Sequence, residues 1–226
     1  MHVCLFDIDG TLLDSAGAGQ AAMESTFRTQ FDRSGPVSGI STAGRTDRAI
    51  VSDLFAFYGI QDTAEHWRAI SETYPAHLQH QLPLQPGRLL PGILELIQHL
   101  SNRADIVLGL LTGNFRCGAQ MKLRHYGLES FFEWEWGGFG DDALDRDDVA
   151  RSVAAELEQQ FPESIDYDRV WVIGDTPADI RCGRAIGARV VAVATGSFDA
   201  ETLAAAQPDH LCTSFQDPGP LLNWLI

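Results

Sequence analysis

Carboxylate residues follow two separate apolar runs of this sequence, and a hydroxyl residue follows a third. Asp7 and Asp9 stand two positions apart after VCLF, Thr112 follows DIVLGLL, and Asp175 and Asp179 lie in GDTPAD after VWVI. Like charges this close repel, and burying either is costly unless a cation compensates. Taken singly, each signal also fits an ordinary strand-end turn, and Thr112 also fits a helix N-cap.

The apolar runs are typical of buried strands, and helix-like stretches alternate with them from residue 105 onward. This rhythm predicts an α/β fold, doubly wound, with a mainly parallel sheet and helices on both faces. FFEWEW (131–136) alternates in the manner of a strand. Strands are predicted over 2–7, 105–111, 131–136, 169–175, 188–195 and 210–214, and helices over 115–127, 147–161, 177–187 and 199–206.

Ligands of open parallel sheets bind beyond the carboxyl ends of the strands, where all of these polar residues are predicted to lie. Together they place four carboxylates and one hydroxyl on one rim of one sheet. Such a rim needs a counterion, and Mg²⁺ suits it because this hard cation takes carboxylate oxygens, carbonyls and water. The sequence therefore predicts a magnesium site at this rim.

The segment from 15 to 87 has a different character, with helical patterns over 17–31, 46–58 and 63–81. The stretches SGPVSGISTAG (34–44) and YGIQD separate these patterns. We expect a helical insertion here, so that 1–14 and 88–226 form the core domain and 15–87 forms a second, helical domain.

The overall composition excludes several classes of function. A formal net charge of −15 argues against broad nucleic-acid binding. The start of the chain has no basic stretch before an apolar segment, and no apolar run approaches the roughly 20 residues that span a bilayer. Four scattered cysteines without a C-x-x-C pair favour a reduced, cytoplasmic protein. We expect a monomer or a homodimer.

The three motifs DIDGT (7–11), LLTGN (110–114) and GDTPAD (174–179) resemble motifs I, II and IV of the haloacid dehalogenase-like hydrolase superfamily, in order and spacing. The resemblance implies a Rossmann-like core and Mg²⁺-dependent phosphoryl transfer through an aspartyl-phosphate. By this resemblance Asp7 is the nucleophile, Asp9 the general acid/base and Thr112 a ligand of the phosphoryl oxygen. Asp175 and Asp179 would hold the metal with Asp7 and the backbone carbonyl of Asp9.

The superfamily's third motif is a basic residue, commonly lysine followed by proline, and here the sequence departs from the pattern. The only lysine, Lys122, lies about eight residues into the helix that follows Thr112, or roughly 12 Å along its axis, which we take as too far from the strand end. Arg146 is the best replacement, with Arg151 as the fallback, although Arg146 could also be a surface residue. Further candidates for substrate binding are Gly10, Thr11, Gly113, Asn114 and Arg45.

The acid at position 9 argues for phosphoester hydrolysis, since a halide leaves without protonation. The longest interval between motifs separates Asp9 from Thr112, so the insertion resembles the helical cap of phosphoglycolate phosphatases and β-phosphoglucomutases. That cap implies a small phosphorylated metabolite as substrate. Arg45, in a G-x-T-D loop, could pair with a substrate carboxylate, or it could be solvated while Thr46 or Asp47 simply caps the following helix. A phosphosugar mutase and a non-catalytic regulatory protein remain the alternatives to a phosphatase.

Overall fold

The computed structural model describes residues 1–34, 39–161 and 165–224. The strands in these ranges are β1 His2–Phe6, β2 Leu13–Asp14, β3 Arg88–Leu89, β4 Ile106–Leu110, β5 Val170–Gly174, β6 Arg189–Val193 and β7 His210–Cys212. The helices are α1 Ala18–Phe31, α2 Asp47–Tyr58, α3 Ala64–Gln81, α4 Ile93–Ser101, α5 Arg116–His125, α6 Arg146–Gln160, α7 Pro177–Ala185, α8 Ala200–Ala205 and α9 Gly219–Trp224. Part of the predicted linker 34–44 lies outside the described residues.

The main sheet has the strand order β4-β1-β5-β6-β7 in the described part of the chain, with every pairing parallel. Its central strands are apolar throughout because both faces are covered. In β1, Cys4 and Phe6 contact one apolar cluster, and Val3 and Leu5 contact another. The predicted α/β architecture with a mainly parallel sheet is therefore confirmed.

Helices cover both faces of this sheet and fix the ends of its strands. One cluster contains residues of α4 and α5, and the opposite cluster contains residues of α6 and α7. α7 begins with a capping box, in which Thr176 and Asp179 each bond the other's backbone N–H, and Pro177 occupies its first turn. The start of α7 is thus held firmly beside the end of β5.

The helices α1, α2 and α3 build a third apolar cluster of their own, which Phe115 of the sheet unit joins. Aromatic side chains dominate it, with Phe27 and Phe55 in tilted contact at 5.6 Å between ring centroids. The two-residue strands β2 and β3 pair antiparallel where the chain leaves and re-enters the sheet unit. The exact domain boundaries at 14/15 and 87/88 stay a prediction.

The predicted strand over 131–136 is wrong. Two 3₁₀ turns, Glu129–Phe131 and Trp134–Trp136, occupy this segment, which passes along the outer edge of β4. Isolated backbone bonds join this segment to β4, from the Glu133 N–H to the Leu108 carbonyl and from the Gly138 N–H to the Leu110 carbonyl, both at 2.8 Å. The alternation of aromatic and acidic residues reflects rings packing inward from short turns.

No helix in the described ranges has the length and apolar character that crossing a bilayer requires. The four cysteines are free thiols.

Candidate active site

The polar residues singled out in the sequence converge because β4, β1 and β5 are neighbours and run parallel. Asp7 follows β1, Thr112 lies two residues beyond β4, and Asp175 follows β5. The Asp7 N–H donates to the Ile173 carbonyl at 2.9 Å, which ties the end of β1 to β5. All of these residues lie at the carboxyl edge of the sheet, as the sequence predicts.

Three carboxylates form a buried cluster at this edge. Oxygen atoms of Asp7, Asp175 and Asp179 lie within 4.8 Å of one another. All three side chains are at least nine-tenths buried. Burial, together with the neighbouring carboxylates, raises the pKa of Asp7 to about 7 and that of Asp175 to about 8. The cluster therefore carries more negative charge than its surroundings neutralise, and its donor set suits a hard divalent cation.

Arg146 is buried at the first position of α6, where Asp145 caps the helix. Its Nη2 donates to Asp179 Oδ1 at 2.5 Å and to the Leu111 carbonyl at 2.9 Å. Its Nη1 lies 3.4 Å from Asp7 Oδ1. The structure therefore places this arginine beside the carboxylate cluster rather than on the surface.

Arg151, the fallback for the same position, lies elsewhere. It is exposed one turn further along α6 and pairs with Asp148 at 2.6 Å. In the described structure, its guanidinium makes no contact with the carboxylate cluster.

The turn after β1 is built from Gly10 and Thr11. Gly10 has a φ of +83°, and a Cβ added there would lie 2.6 Å from Asp175 Cγ, so the turn requires glycine. The Thr11 hydroxyl donates to Asp175 Oδ1 at 3.0 Å. This turn thus packs directly on the carboxylate cluster.

Sequence reasoning missed the loop that follows β6. The Thr195 hydroxyl donates to the Gly10 carbonyl at 2.6 Å, and Thr195, Gly196 and Ser197 line the same cavity as Asp7. The signal was present, since TGS follows the apolar run VVAVA in the same way as the other motifs follow their strands.

Thr112 and Asn114 form the second side of the site. Thr112 is fully buried and is not a helix cap, because α5 begins only at Arg116. Its Oγ1 accepts from Asn114 Nδ2 at 2.9 Å, and the same amide nitrogen donates to Asp9 Oδ2 at 2.9 Å. Asp9 therefore turns away from the carboxylate cluster and towards Asn114. The part of its backbone carbonyl in metal binding stays a prediction.

The expectation that Lys122 lies too far from the strand ends is wrong. Its Nζ donates to Asp9 Oδ2 at 2.5 Å and to Asn114 Oδ1 at 2.6 Å. The figure of roughly 12 Å measures only the rise of the backbone along the helix axis, and α5 starts at Arg116, so that Lys122 is its seventh residue. A helical side chain also points back towards the N-terminus of its helix, and the long lysine stem covers the remainder.

Arg45 lies on the wall of the cavity without contacting the carboxylate cluster. Its Nη1 is 2.5 Å from Asp53 Oδ2, and the pair is partly exposed. Thr46 caps α2 by accepting the Ala49 N–H at 3.1 Å, as the simpler interpretation of this loop expected. A substrate carboxylate would have to compete with Asp53 for Arg45.

Asp47 is a further residue of the site that sequence reasoning treated only as a helix cap. Its N–H donates to the Gly113 carbonyl at 2.7 Å, and its Oδ2 accepts the Phe115 N–H at 2.8 Å. Burial raises its pKa to about 6, against the opposing effect of Lys122. These bonds join the start of α2 to the loop after β4.

A cavity of about 510 Å³ lies between the sheet edge and the helices α1 to α3. Its polar floor holds the carboxylate cluster, and its opposite wall comes from the helical segment. The lining residues that bear on its chemistry are Asp7, Asp9, Gly10, Gly113, Asn114, Lys122, Arg146, Asp175, Arg45, Asp47 and Tyr74.

Comparisons with known proteins agree with this geometry. The chain matches the haloacid dehalogenase-like hydrolase family model over residues 4–184. It is 28% identical to the phosphoglycolate phosphatase of Synechococcus elongatus, over 99% of this chain and 96% of that protein. It is 27% identical to the phosphoglycolate phosphatase of Rhodospirillum rubrum, over 98% of this chain and 89% of that protein.

Solved structures share the fold at low sequence identity. CbbY from Rhodobacter sphaeroides, in complex with phosphate, superposes with a TM-score of 0.72 at 20% identity and covers 97% of both chains. A putative β-phosphoglucomutase from Thermotoga maritima has a TM-score of 0.63 at 18% identity and covers 100% of both chains.

The family match includes all three motifs that carried the resemblance, from DIDGT through LLTGN to GDTPAD. The family and the relatives' names together support the predicted hydrolase acting on phosphoric monoesters. With catalytic candidates gathered at one sheet edge and a family match over most of its length, this chain belongs to the haloacid dehalogenase-like hydrolases.

Proposed function

We propose that this enzyme is a Mg²⁺-dependent phosphatase that hydrolyses a small phosphate monoester through an aspartyl-phosphate on Asp7. The observation that carries the proposal is the position of Asp7 at the end of β1. There it lies within one cluster with Asp175 and Asp179 and within 3.4 Å of Arg146.

The buried carboxylates fit a bound magnesium ion. Among the described residues, one buried guanidinium, that of Arg146, contacts Asp7 and Asp179, and the raised pKa values of Asp7 and Asp175 mark the charge that remains uncompensated. We propose that these three residues, with the Asp9 carbonyl, hold Mg²⁺. When bound, the ion supplies positive charge that offsets repulsion between Asp7 and an anionic phosphate. Asp179 has both oxygens engaged, by Arg146 and by Thr176, so Asp7 and Asp175 are the freer ligands.

The first step forms a bond between an Asp7 oxygen and phosphorus as the bond from phosphorus to the leaving oxygen breaks. Asp9 donates a proton to that oxygen, so an alcohol departs. Water then attacks phosphorus of the aspartyl-phosphate, Asp9 accepts its proton, and inorganic phosphate and free Asp7 result. We assign the phosphoryl oxygens to the Thr112 hydroxyl and to backbone N–H groups of the turn at Gly10 and Thr11.

The size of the cavity supports a small substrate. We propose that residues 15–87 act as a cap, because α1 and α3 roof the site and Asp47 bonds the loop after β4. A cap of this kind excludes water and contacts the leaving group. Phosphoglycolate is the first candidate, since curated relatives carry that name and Arg45 can offer a cation to its carboxylate.

A panel of phosphorylated metabolites with Mg²⁺ tests the proposal, with kcat/KM read for each from the release of inorganic phosphate. We expect the highest kcat/KM for a small carboxylate-bearing ester. Isomerisation of a phosphosugar without phosphate release would instead show a mutase, and no turnover of any ester would contradict a phosphatase.

A further inference from the structure

Lys122, the single lysine of the chain, is buried in the site, and the proposed reaction gives it no task. It lies on α5 with its side chain about 5% exposed. A buried ammonium ion costs free energy unless charged and polar groups surround it. Lys122 meets this need with two partners, Asp9 and Asn114.

These three side chains form a closed triangle of hydrogen bonds. Lys122 Nζ donates to Asp9 Oδ2 and to Asn114 Oδ1, and Asn114 Nδ2 donates to Asp9 Oδ2. Because an ammonium group only donates, it fixes which end of the Asn114 amide faces it. The amide nitrogen must then face Asp9 and Thr112, as it does.

The remaining oxygen of Asp9 is also held. Ser15 donates its hydroxyl to Asp9 Oδ1 at 3.0 Å. Both oxygens of this carboxyl group therefore have fixed partners, and Lys122 is the partner that carries a positive charge. Loss of its charge would leave Asp9 with Ser15 and Asn114 alone and would remove the donor that fixes the Asn114 amide.

Stability alone does not explain a charge at this position. A buried ion pair contributes little net stability compared with apolar packing of the same volume. Tyr74 of the helical segment lines the cavity beside Lys122. A methionine would fill a similar volume without a buried charge. The ammonium group is therefore better explained by a role in the reaction than by stability.

We propose that Lys122 is a positioning residue that aims the carboxyl group of Asp9 at the leaving oxygen and orients the amide of Asn114 beside it. This inference rests on the proposed function, in which Asp9 protonates the leaving group. It assigns to α5 a part in the reaction separate from that of Arg146, which contacts Asp7 and Asp179 on the other side of the site.

The test compares two substrates for Lys122→Met and Lys122→Arg. An alkyl phosphate releases a basic alkoxide that needs a proton, whereas 2,4-dinitrophenyl phosphate releases an anion that needs none. The value of kcat/KM reports events up to the first irreversible step, so it isolates formation of the aspartyl-phosphate. For Lys122→Met we expect a loss of about 10²-fold or more on the alkyl ester, the scale of general acid catalysis, and less than about 10-fold on the aryl ester. Lys122→Arg should recover part of the loss.

Equal losses on both esters would overturn the proposal, because they would show a role in binding or folding. Unchanged kcat/KM on both would overturn it as well. Failure of the proposed function has a different signature: wild-type enzyme would then turn over neither ester, or Asp7→Asn would retain activity on both.

A second measurement needs no turnover and no folded Lys122 variant. Because the chain has one lysine, ¹⁵Nζ-lysine labelling gives one side-chain resonance. We expect Asp9→Asn to shift this resonance and to speed its exchange with water. Asp105→Asn is the matched control, since that exposed carboxylate pairs with Arg103. No response to Asp9→Asn would show that the triangle is absent in solution and would overturn the proposal.

Discussion

Arg146 and Asp179 form a fully enclosed ion pair, with Nη2 2.5 Å from Oδ1. The pair joins the first residue of α6 to the first turn of α7, so that two helix starts meet at the carboxylate cluster. A buried pair contributes little net stability, but removal of one partner leaves the other charge uncompensated. The arginine therefore has to be tested by its effect on activity as well as on folding.

Arg146→Ala should lower phosphate release by about 10²–10³-fold, the scale on which loss of one preorganised electrostatic group acts, because Asp7 and Asp179 would lose their shared guanidinium. Arg151→Ala should leave activity unchanged, because Arg151 is exposed and pairs with Asp148, away from the carboxylate cluster. Steady-state assays with an aryl phosphate, on samples matched by melting temperature, make the comparison. Greater loss in the Arg151 variant would move the third motif to that residue.

Asp175→Asn should change how stability depends on pH. Burial, then Asp179 and Asp7, raises the pKa of Asp175 to about 8, above its usual value. Between roughly pH 4 and pH 8 the folded state thus binds more protons than the unfolded state, and this group removes stability as pH rises through that window. The side-chain amide of the variant carries no charge at any of these pH values. In EDTA the variant should therefore become increasingly more stable than wild type as the pH rises from 4.5 to 8.

Thermal unfolding in EDTA measures this difference. At pH 8 the variant should melt above wild type by at least about 2–4 °C, which corresponds to about 1 kcal/mol for a chain of this size. At pH 4.5 the two proteins should melt together. If the difference in melting temperature stays constant from pH 4.5 to pH 8, burial and the neighbouring carboxylates do not raise the pKa of Asp175.

EDTA and Mg²⁺ should have opposite effects on turnover and on the melting temperature. Chelation should abolish turnover, and added Mg²⁺ should recover it and raise the melting temperature, since a ligand that binds only the folded state stabilises it. The stabilisation should be larger at pH 8 than at pH 5, because protons compete for the carboxylates. Metal-independent turnover would contradict the assigned site.

Arg45→Ala should weaken the binding only of substrates that carry a carboxylate. For a phosphorylated hydroxy acid we expect KM to rise about 10-fold, or about 1.4 kcal/mol, while KM for a phosphate ester without a carboxylate stays unchanged. Asp53→Asn is the control, since it frees Arg45 from its present partner and should not raise KM. Equal effects on both substrates would remove Arg45 from substrate binding.

The sequence predicts the sheet and the position of Asp7, Thr112 and Asp175 well, because buried parallel strands are apolar throughout and end abruptly in polar residues. It also predicts the three helices of residues 18–81 within one residue of their observed starts. The helix α4 was overlooked, although Ile93, Leu96, Ile97 and Leu100 have helical spacing and are buried.

The spacing of residues along the sequence could not predict which groups a long side chain contacts. Distances along an assumed helix placed Lys122 outside the site, whereas the direction and length of its side chain bring it to Asp9. The tertiary partner of Arg45, Asp53, was equally hidden, because choosing among many surface carboxylates requires the packed structure.

The most direct test of the account is the state of Asp7 during turnover. Wild-type enzyme is quenched with acid while it hydrolyses an aryl phosphate, and its peptides are analysed by mass spectrometry. We expect one phosphoryl group on the peptide that contains Asp7. Asp7→Asn should remain folded, carry no phosphoryl group and lose at least about 10⁴-fold in phosphate release. Wild-type turnover by that variant, or a phosphoryl group on another residue, would contradict the central claim.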